Sequence, residues 1–359
     1  MAHTDNINIQ ELTDTAVSCS LEALSALDAA DADKKAFADS FKEGFARAIE
    51  EQREKDRILR KLQLTELEIL RELDRVCRKH NLRYYVVGGT LIGAVRHKGF
   101  IPWDDDIDVS MPRKDFDKLC RIAKEEFADD FFLQTRKTDK NCYFYYAKLR
   151  KNGTYFGEDK FEHTTLHKGI FMDIFPLDYI PDNKALQKIF FRGFSCLTGF
   201  ICSKEKTTEF LYKNMSLPFI VTFRFLQCIL PKCLLLGMRN LIGKLSNALS
   251  RKQLLASLSG FHGYPGEIAP EKWWGEGCDI EFEGLTVRAP SEYHTLLTHM
   301  FGDYMQLPPP EERVNHSVEP EKIIFEGVSA DDYKPKIKRK RSHRYYGCDY
   351  DIIPIENKN

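Results

Sequence analysis

The chain has 359 residues, of which 43% are hydrophobic, so it can bury a substantial core as one large domain or two smaller ones. Its 53 Lys and Arg balance 54 Asp and Glu, which excludes a global field that would dictate a polyanionic partner; charge has to be read locally. The ten cysteines include no C-x-x-C pair, and the first residues, MAHTDNINIQELTD, carry neither a basic nor an apolar leader region, so free thiols in a reducing cytoplasm are expected rather than a disulfide framework.

Residues 1–60 are polar, Ala-rich and helix-favouring, and read as a solvent-facing helical extension, partly disordered at its start. From Leu62 to Lys79 the apolar positions Leu62, Ile69, Leu73, Val76 and Cys77 follow helical spacing, with Thr65 as a candidate N-cap and Glu68 three residues on. This packing helix delivers the chain through Asn81 into a strand, Tyr84–Val87, that is β-branched and aromatic and is closed by Gly88-Gly89. Thr90 stands where a helix N-cap belongs, before Leu91–Val95. Strand, diglycine and helix start together leave backbone N–H groups for an anion.

The next stretch, Asp104-Asp105-Asp106-Ile107-Asp108-Val109-Ser110-Met111, alternates apolar and polar residues from Asp106 on. Period two predicts a half-buried strand with Asp106 and Asp108 on one face, their Cα atoms roughly 6.5–7 Å apart. Carboxylates crowded in this way repel, and a divalent metal would offset that repulsion. An EF-hand loop is excluded by spacing, because its sixth and twelfth positions counted from Asp104 hold Val109 and Asp115. Asp104 and Asp105 serve either as extra ligands or as support for the turn. Arg96 and Lys98 are candidates for binding phosphate oxygens, Arg96 by its two-pronged geometry. Trp103 either packs as a lid or offers its face to a quaternary ammonium group.

Pro112–Phe127 has helical spacing, and Phe131–Gln134, Tyr143–Leu149 and Gly169–Phe175 read as strands. Asp173 in so apolar a strand is costly without a partner, whereas Asp178, beyond Pro176, is expected in a loop. Residues 186–258 turn apolar and basic and are expected to be largely helical. Leu217–Gly237 nears the length of a membrane span, but Arg224, Pro231 and Lys232 interrupt it; core helices are favoured over an amphipathic face lying on a membrane. A hairpin turning at Glu283-Gly284 and a helix over Pro290–Met300 follow. Trp274 and Tyr304 could contribute to an aromatic cage. Residues 328–359 form a basic tail, and no module for nucleic-acid recognition is present in the sequence.

Gly88 to Asp108, read as GGTLIGAVRHKGFIPWDDDID, resembles the signature of the LicD family within the nucleotidyltransferase-fold superfamily, which also includes the fukutin-related proteins. Gly169–Leu177 and Phe301–Pro309 extend the similarity, so residues 61–327 are expected to be one catalytic domain. The resemblance implies an α+β fold with a nucleotidyltransferase-like mixed β-sheet core, flanking helices and a helical C-terminal part. It also implies a third carboxylate on a neighbouring strand, for which Asp173 is placed to complete a Mg²⁺ or Mn²⁺ site with Asp106 and Asp108, Asp104 being a further candidate. The activity implied is transfer of phosphocholine, or a similar alcohol phosphate, from a CDP-activated donor such as CDP-choline to a sugar of lipopolysaccharide, teichoic acid or a related surface glycan. Gly88, Gly89, Thr90, Arg96, Lys98 and Trp103 would bind substrate. The acceptor could be lipid-linked, met at the inner face of the membrane. An NTP-using nucleotidyltransferase and a glycan- or nucleotide-binding pseudoenzyme are the alternatives.

Overall fold

An unbroken helix of 50 residues, α1 (Asp31–His80), opens the computed structural model, which describes residues 31–158, 161, 164–203, 229–309, 312–313, 320–329 and 332–333. The chain divides into two compact units, Met1–Lys61 with Val318–Pro320, and Leu62–Ser317 with Glu321–Asn359. In the first unit the described part of α1 is largely exposed, Leu59 near its end being buried, and is laced by its own pairs. Arg57 donates to Glu54 at 2.7 Å and to Glu50 at 3.1 Å, and Gln52 donates to Asp56 at 2.8 Å.

In the second unit the expected spacing holds, for Leu62, Ile69, Leu73 and Val76 are fully buried. Thr65 caps nothing, because α1 runs straight through it. No Gly or Pro stands between Phe45 and Thr65, so nothing in that stretch stops the helix. It ends at Asn81, whose left-handed φ of 51° turns the chain while the Leu82 N–H bonds to the Cys77 carbonyl at 2.9 Å.

A mixed sheet follows. Its order is β1 (Tyr85–Val86), β2 (Asp108–Pro112), β6 (Phe171–Ile180), β4 (Ala147–Lys151), β3 (Phe131–Gln134), with β2 and β6 parallel and the other neighbours antiparallel. Helix α2 (Gly88–His97) joins β1 to β2, and α3 (Arg113–Glu126) joins β2 to β3. Ile107, Val109, Met111, Ala147, Leu149, Met172 and Ile174 are all fully buried, which is the alternation read from the sequence. Outside this path, β5 (Tyr155–Phe156) pairs with β11 (Ile323–Ile324), and β9 (Cys278–Phe282) with β10 (Leu285–Ala289) across the expected turn at Glu283 and Gly284. The architecture is thus α+β with a mixed sheet.

The expectations for the middle of the chain need one correction and one addition. Strand β6 does not stop before Pro176. The Asp173 N–H points to β2, bonding the Ile107 carbonyl at 3.0 Å, so by period two residue 176 turns its nitrogen to the β4 edge. That ladder has already ended at Ile174, and proline's missing donor costs nothing there. Asp178 is therefore in a strand, 1% exposed, and not in a loop. It accepts two bonds from Arg113 at 2.7 Å, one from the Tyr145 hydroxyl at 2.9 Å and one from Asn247 at 2.7 Å.

The addition concerns residues 186–258. Helices α4 (Lys184–Ser203) and α5 (Lys232–Leu249) are present, packed closely enough that a methyl on Gly193 would lie 3.2 Å from Ile242. Leu254–Ala256, however, is a strand, β7, that pairs with the far half of β6 and with β8 (Ile268–Pro270). The end of β6 beyond β4 offers an open edge, and an extended apolar triplet satisfies it. C-terminal to β8, a helical turn Glu271–Trp274, the β9–β10 hairpin and one helix, α6 (Tyr293–Phe301), make that part mixed rather than helical. No helix among the described residues is long and apolar enough to cross a membrane. Residues 217–228 of the apolar stretch and 334–359 of the basic tail lie outside the described residues.

Glu267, before β8, gives a pH test of this packing. Its carboxylate is 8% exposed and accepts the His262 N–H at 2.9 Å, and burial pushes its pKa up to about 7. A carboxyl raised in the folded state binds more protons there than in the unfolded chain, so its contribution is full below about 4.5 and is lost as pH rises through about 7. Between pH 5 and 8 the unfolding free energy of wild type should therefore fall by about 2–3 kcal/mol through this group, and Glu267→Gln should remove that slope in urea titrations.

Candidate active site

The register of the sheet sets three charged side chains in one cross-strand row. Asp173 of β6 has Asp108 of parallel β2 as its partner on one side and Lys148 of β4 on the other. Neighbouring strands lie about 4.8 Å apart, and two carboxylates at that spacing repel by about 3 kcal/mol at an effective dielectric near 20. Lys148 offsets part of this. It is 2% exposed, its ammonium stands 2.9 Å from Asp173 Oδ1 and bonds Oδ2 at 3.3 Å, and it covers the Phe171 ring at 3.3 Å. Burial raises the pKa of Asp173 while Lys148 opposes the rise. Asp108 is pushed well above the usual carboxylate range by burial first, then by Asp106 and Asp173.

The diglycine borders this row. Helix α2 begins at Gly88, not after Thr90, and its N-cap is Val87, without a side-chain cap. Gly88 has φ 57°, and a methyl there would come 3.7 Å from Asp108 Oδ2. A methyl on Gly89 would meet Asp104 Oδ2 at 2.5 Å, so the Asp104 carboxylate stands against the first turn of α2, where the helix dipole favours a negative charge. Thr90 is correspondingly not the cap. Its hydroxyl, 2% exposed, accepts the Asp108 N–H at 2.9 Å and ties α2 to the start of β2. Thr90→Val keeps the shape but leaves that N–H unpaired, and should cost about 1–3 kcal/mol in chemical denaturation, whereas Thr90→Ser should retain most of the stability.

Asp106 precedes β2 rather than lying in it, so the strand-face argument applies to Asp108 alone. The turn through Asp104 is held by its N–H on the Ile101 carbonyl at 2.9 Å and by Gln63, which donates to the Asp104 carbonyl at 2.9 Å. Beside Gln63 on α1 is a carboxylate that the sequence reading passed over. Glu66 is 2% exposed, its Oε2 accepts no hydrogen bond among the described residues, and burial followed by Asp106, Asp105, Asp104 and Asp108 raises its pKa well above the usual range. Its signal was present. Glu66 lies four residues after Leu62 and three before Ile69, on the buried face of the helix.

The remaining predicted residues fall on the flank of α2. Arg96 donates to the carbonyls of Tyr304 and Gln306 at 3.1 and 3.4 Å, joining the signature helix to the Phe301–Pro309 segment. Burial and the nearby Arg313 lower its pKa. The Arg313 guanidinium stands 5.4 Å from the Trp103 ring centre, so that face holds a cation from the chain itself. Lys98 pairs with Glu281 at 3.4 Å on the surface. Trp274 and Tyr304 do not form a cage. Trp274 is buried against Tyr85 with ring centres 5.5 Å apart, and Tyr304 is buried and bonded to His294.

Asp104, Asp106, Asp108, Asp173 and Glu66 form a set of hard oxygen donors whose repulsion a divalent cation would relieve, which is the donor chemistry of Mg²⁺ or Mn²⁺. As the side chains stand, however, no group of three or more His, Cys, Asp or Glu among the described residues is placed to hold a metal ion, and Asp173 is turned to Lys148.

Comparison with known proteins bears on the family of the chain. Residues 81–197 match the family model described as LicD/FKTN/FKRP, nucleotidyltransferase domain. Over 287 residues, 74% of this chain and 98% of the relative, the chain is 29% identical to the lipopolysaccharide cholinephosphotransferase LicD of Haemophilus influenzae. It is also 39% identical over 76 residues to an uncharacterised protein of Rickettsia prowazekii, covering 21% of this chain and 29% of that one. A further uncharacterised protein, of Rickettsia typhi, is 39% identical over 59 residues, 16% of this chain and 19% of the relative. The matched segment holds both the diglycine signature and the Asp108, Asp173 and Lys148 row, and residues 81–197 of this chain are a LicD-family domain.

Proposed function

We propose that the protein is a divalent-cation-dependent phosphotransferase with a nucleotidyltransferase-type core, moving phosphocholine or a similar alcohol phosphate from a CDP-activated donor to a sugar of a surface glycan such as lipopolysaccharide. The observation that carries this reading is the Asp108 and Asp173 pair in register beside Gly88, in a chain similar over most of its length to a cholinephosphotransferase. Asp106 and Asp108 would hold Mg²⁺ or Mn²⁺, with Asp104 and Glu66 at its margin; the cation would neutralise charge on the diphosphate as the phosphorus–oxygen bond breaks. Gly88 and Gly89 let the donor's phosphates approach the first turn of α2, where backbone N–H groups favour anions.

Thr90 holds the Asp108 backbone in place. Arg96 fixes the Tyr304–Gln306 segment against α2 and, with Arg313, presents positive charge to the donor. Asp173, oriented by Lys148, takes the proton of the attacking hydroxyl on a carboxylate oxygen, for which its raised pKa suits it. The seven cysteines among the described residues are all free, which supports a reducing compartment, the cytoplasm, with the lipid-linked acceptor met at the inner membrane face.

Incubation of the purified protein with CDP-choline or CTP, an acceptor glycan and Mg²⁺ tests the reading. The expected result is release of CMP from CDP-choline, a phosphocholine mass added to the glycan, and loss of both with EDTA. Consumption of CTP with release of pyrophosphate would instead make it a nucleotidyltransferase, and binding without turnover a pseudoenzyme.

A further inference from the structure

A cleft of about 1120 Å³ lies outside the carboxylate row, and its charge is one-sided. It opens where Pro112 and Leu177 end the β2–β6 pairing, four register positions beyond Asp108 and Asp173, or roughly 13 Å along the strands. Nine Lys and Arg side chains line it against two carboxylates, Asp117 and Asp178. Asp178 is consumed by Arg113, and Asp117 stands 3.7 Å from the same guanidinium. Lys114, Arg121, Arg136, Lys137, Arg239 and Lys244 have no carboxylate partner among the described residues.

Arg239 sharpens the point. It projects from α5 into the cleft wall, is 2% exposed, and donates to the Tyr143 carbonyl at 2.5 Å, yet its Nε finds no acceptor among the described residues. A buried guanidinium with an unmet donor beside a row of uncompensated cations is costly unless an anion joins them. The wall also carries aromatic faces, Phe144, Tyr145 and Tyr146, which suit the flat apolar side of a sugar ring. Tyr146 connects the cleft to the reaction site. Its ring stands 4.9 Å from Phe175 and 5.8 Å from the Lys148 ammonium, which in turn holds Asp173.

We propose that this cleft binds the acceptor, and that the acceptor is an anionic glycan carrying phosphate groups, seated with a hydroxyl directed past Tyr146 toward Asp173. This rests on the phosphotransferase reading for the word acceptor, though binding itself is independent of it. The cleft's distance from Gly88 and its excess of cations separate it from the donor's place: the diphosphate is assigned to the diglycine turn, which leaves these cations for a second anion.

The test is calorimetry at 0.15 M salt on the full chain, using deacylated lipopolysaccharide core oligosaccharide before and after alkaline phosphatase. Wild type should bind the phosphorylated form at least about tenfold more tightly, a difference of about 1.4 kcal/mol that charge-assisted bonds to phosphate supply. The triple variant Arg136→Gln, Lys137→Gln, Lys244→Gln changes only exposed side chains and should lose that preference while its CDP-choline affinity stays unchanged. Arg239→Lys should weaken it in part. Equal binding of both oligosaccharides, or a triple variant that keeps the preference, overturns the proposal; so does a parallel loss of CDP-choline binding, which would make the cleft the donor's. Equal competition by single-stranded DNA of matched charge would reduce it to a general polyanion surface and overturn it too. The Asp106→Asn, Asp108→Asn protein should keep the preference, so failure of the phosphotransferase reading and failure of the cleft are separately visible.

Discussion

Replacing Asp106 and Asp108 together by asparagine is expected to lower phosphocholine transfer by about 10³-fold or more while the protein stays folded and melts no lower than wild type. Asp108 is strained as an anion where it stands, raised by burial and by the carboxylates of Asp106 and Asp173. Neutral isosteres remove that repulsion, so folding should gain if it changes at all. The reaction loses the oxygens proposed to hold the cation, and several kcal/mol of charge stabilisation at about 1.4 kcal/mol per tenfold gives the stated range. Initial rates, thermal unfolding and a calorimetric Mg²⁺ titration on the same preparation check the three parts. A variant with full rate, or one that fails to fold, contradicts the assignment.

Lys148→Met should produce the largest loss of stability in the sheet, about 3–5 kcal/mol, because it removes one partner of a buried pair and leaves Asp173 beside Asp108 with only the weaker influence of Arg150 to oppose their charge. The stem of Lys148 is already in the core, so methionine fills its volume and the effect reports the charge. Adding Asp173→Asn should recover most of the loss, since the orphaned carboxylate is then neutral. Urea denaturation of the two single variants and the double closes the cycle, and additive losses would show that the pair is not coupled. In the single variant, added Mg²⁺ should restore part of the stability, as a cation takes over the charge that Lys148 supplied.

Much of the site was legible because its signals are local. Gly88-Gly89 and Asp104 to Asp108 are contiguous, and alternation from Ile107 to Met111 needs only the period of a strand. Asp173 was legible as an expensive residue in an apolar run. Lys148 was not, since a lysine between aromatic and apolar residues reads as an outward-facing strand position until the opposite strand is known. Glu66 could have been found by weighing it against the helical face of Leu62 and Ile69 instead of assigning a cap at Thr65. Asp178 was misplaced because a proline was taken to end a strand, when it needed only to face an edge whose ladder was finished.

By itself the chain's order of residues determined the diglycine bend, the acidic run, the apolar face of α1 and the family to which residues 81–197 belong. Only the tertiary structure decided which charges meet. Asp108, Lys148 and Asp173 come from strands 25 to 65 residues apart, and whether they share a row depends on lateral register. Register is chosen by the collective burial of Val109, Leu149, Met172 and Ile174, since a slip of one residue would turn every one of them to the other face. No local pattern around a single aspartate contains that information.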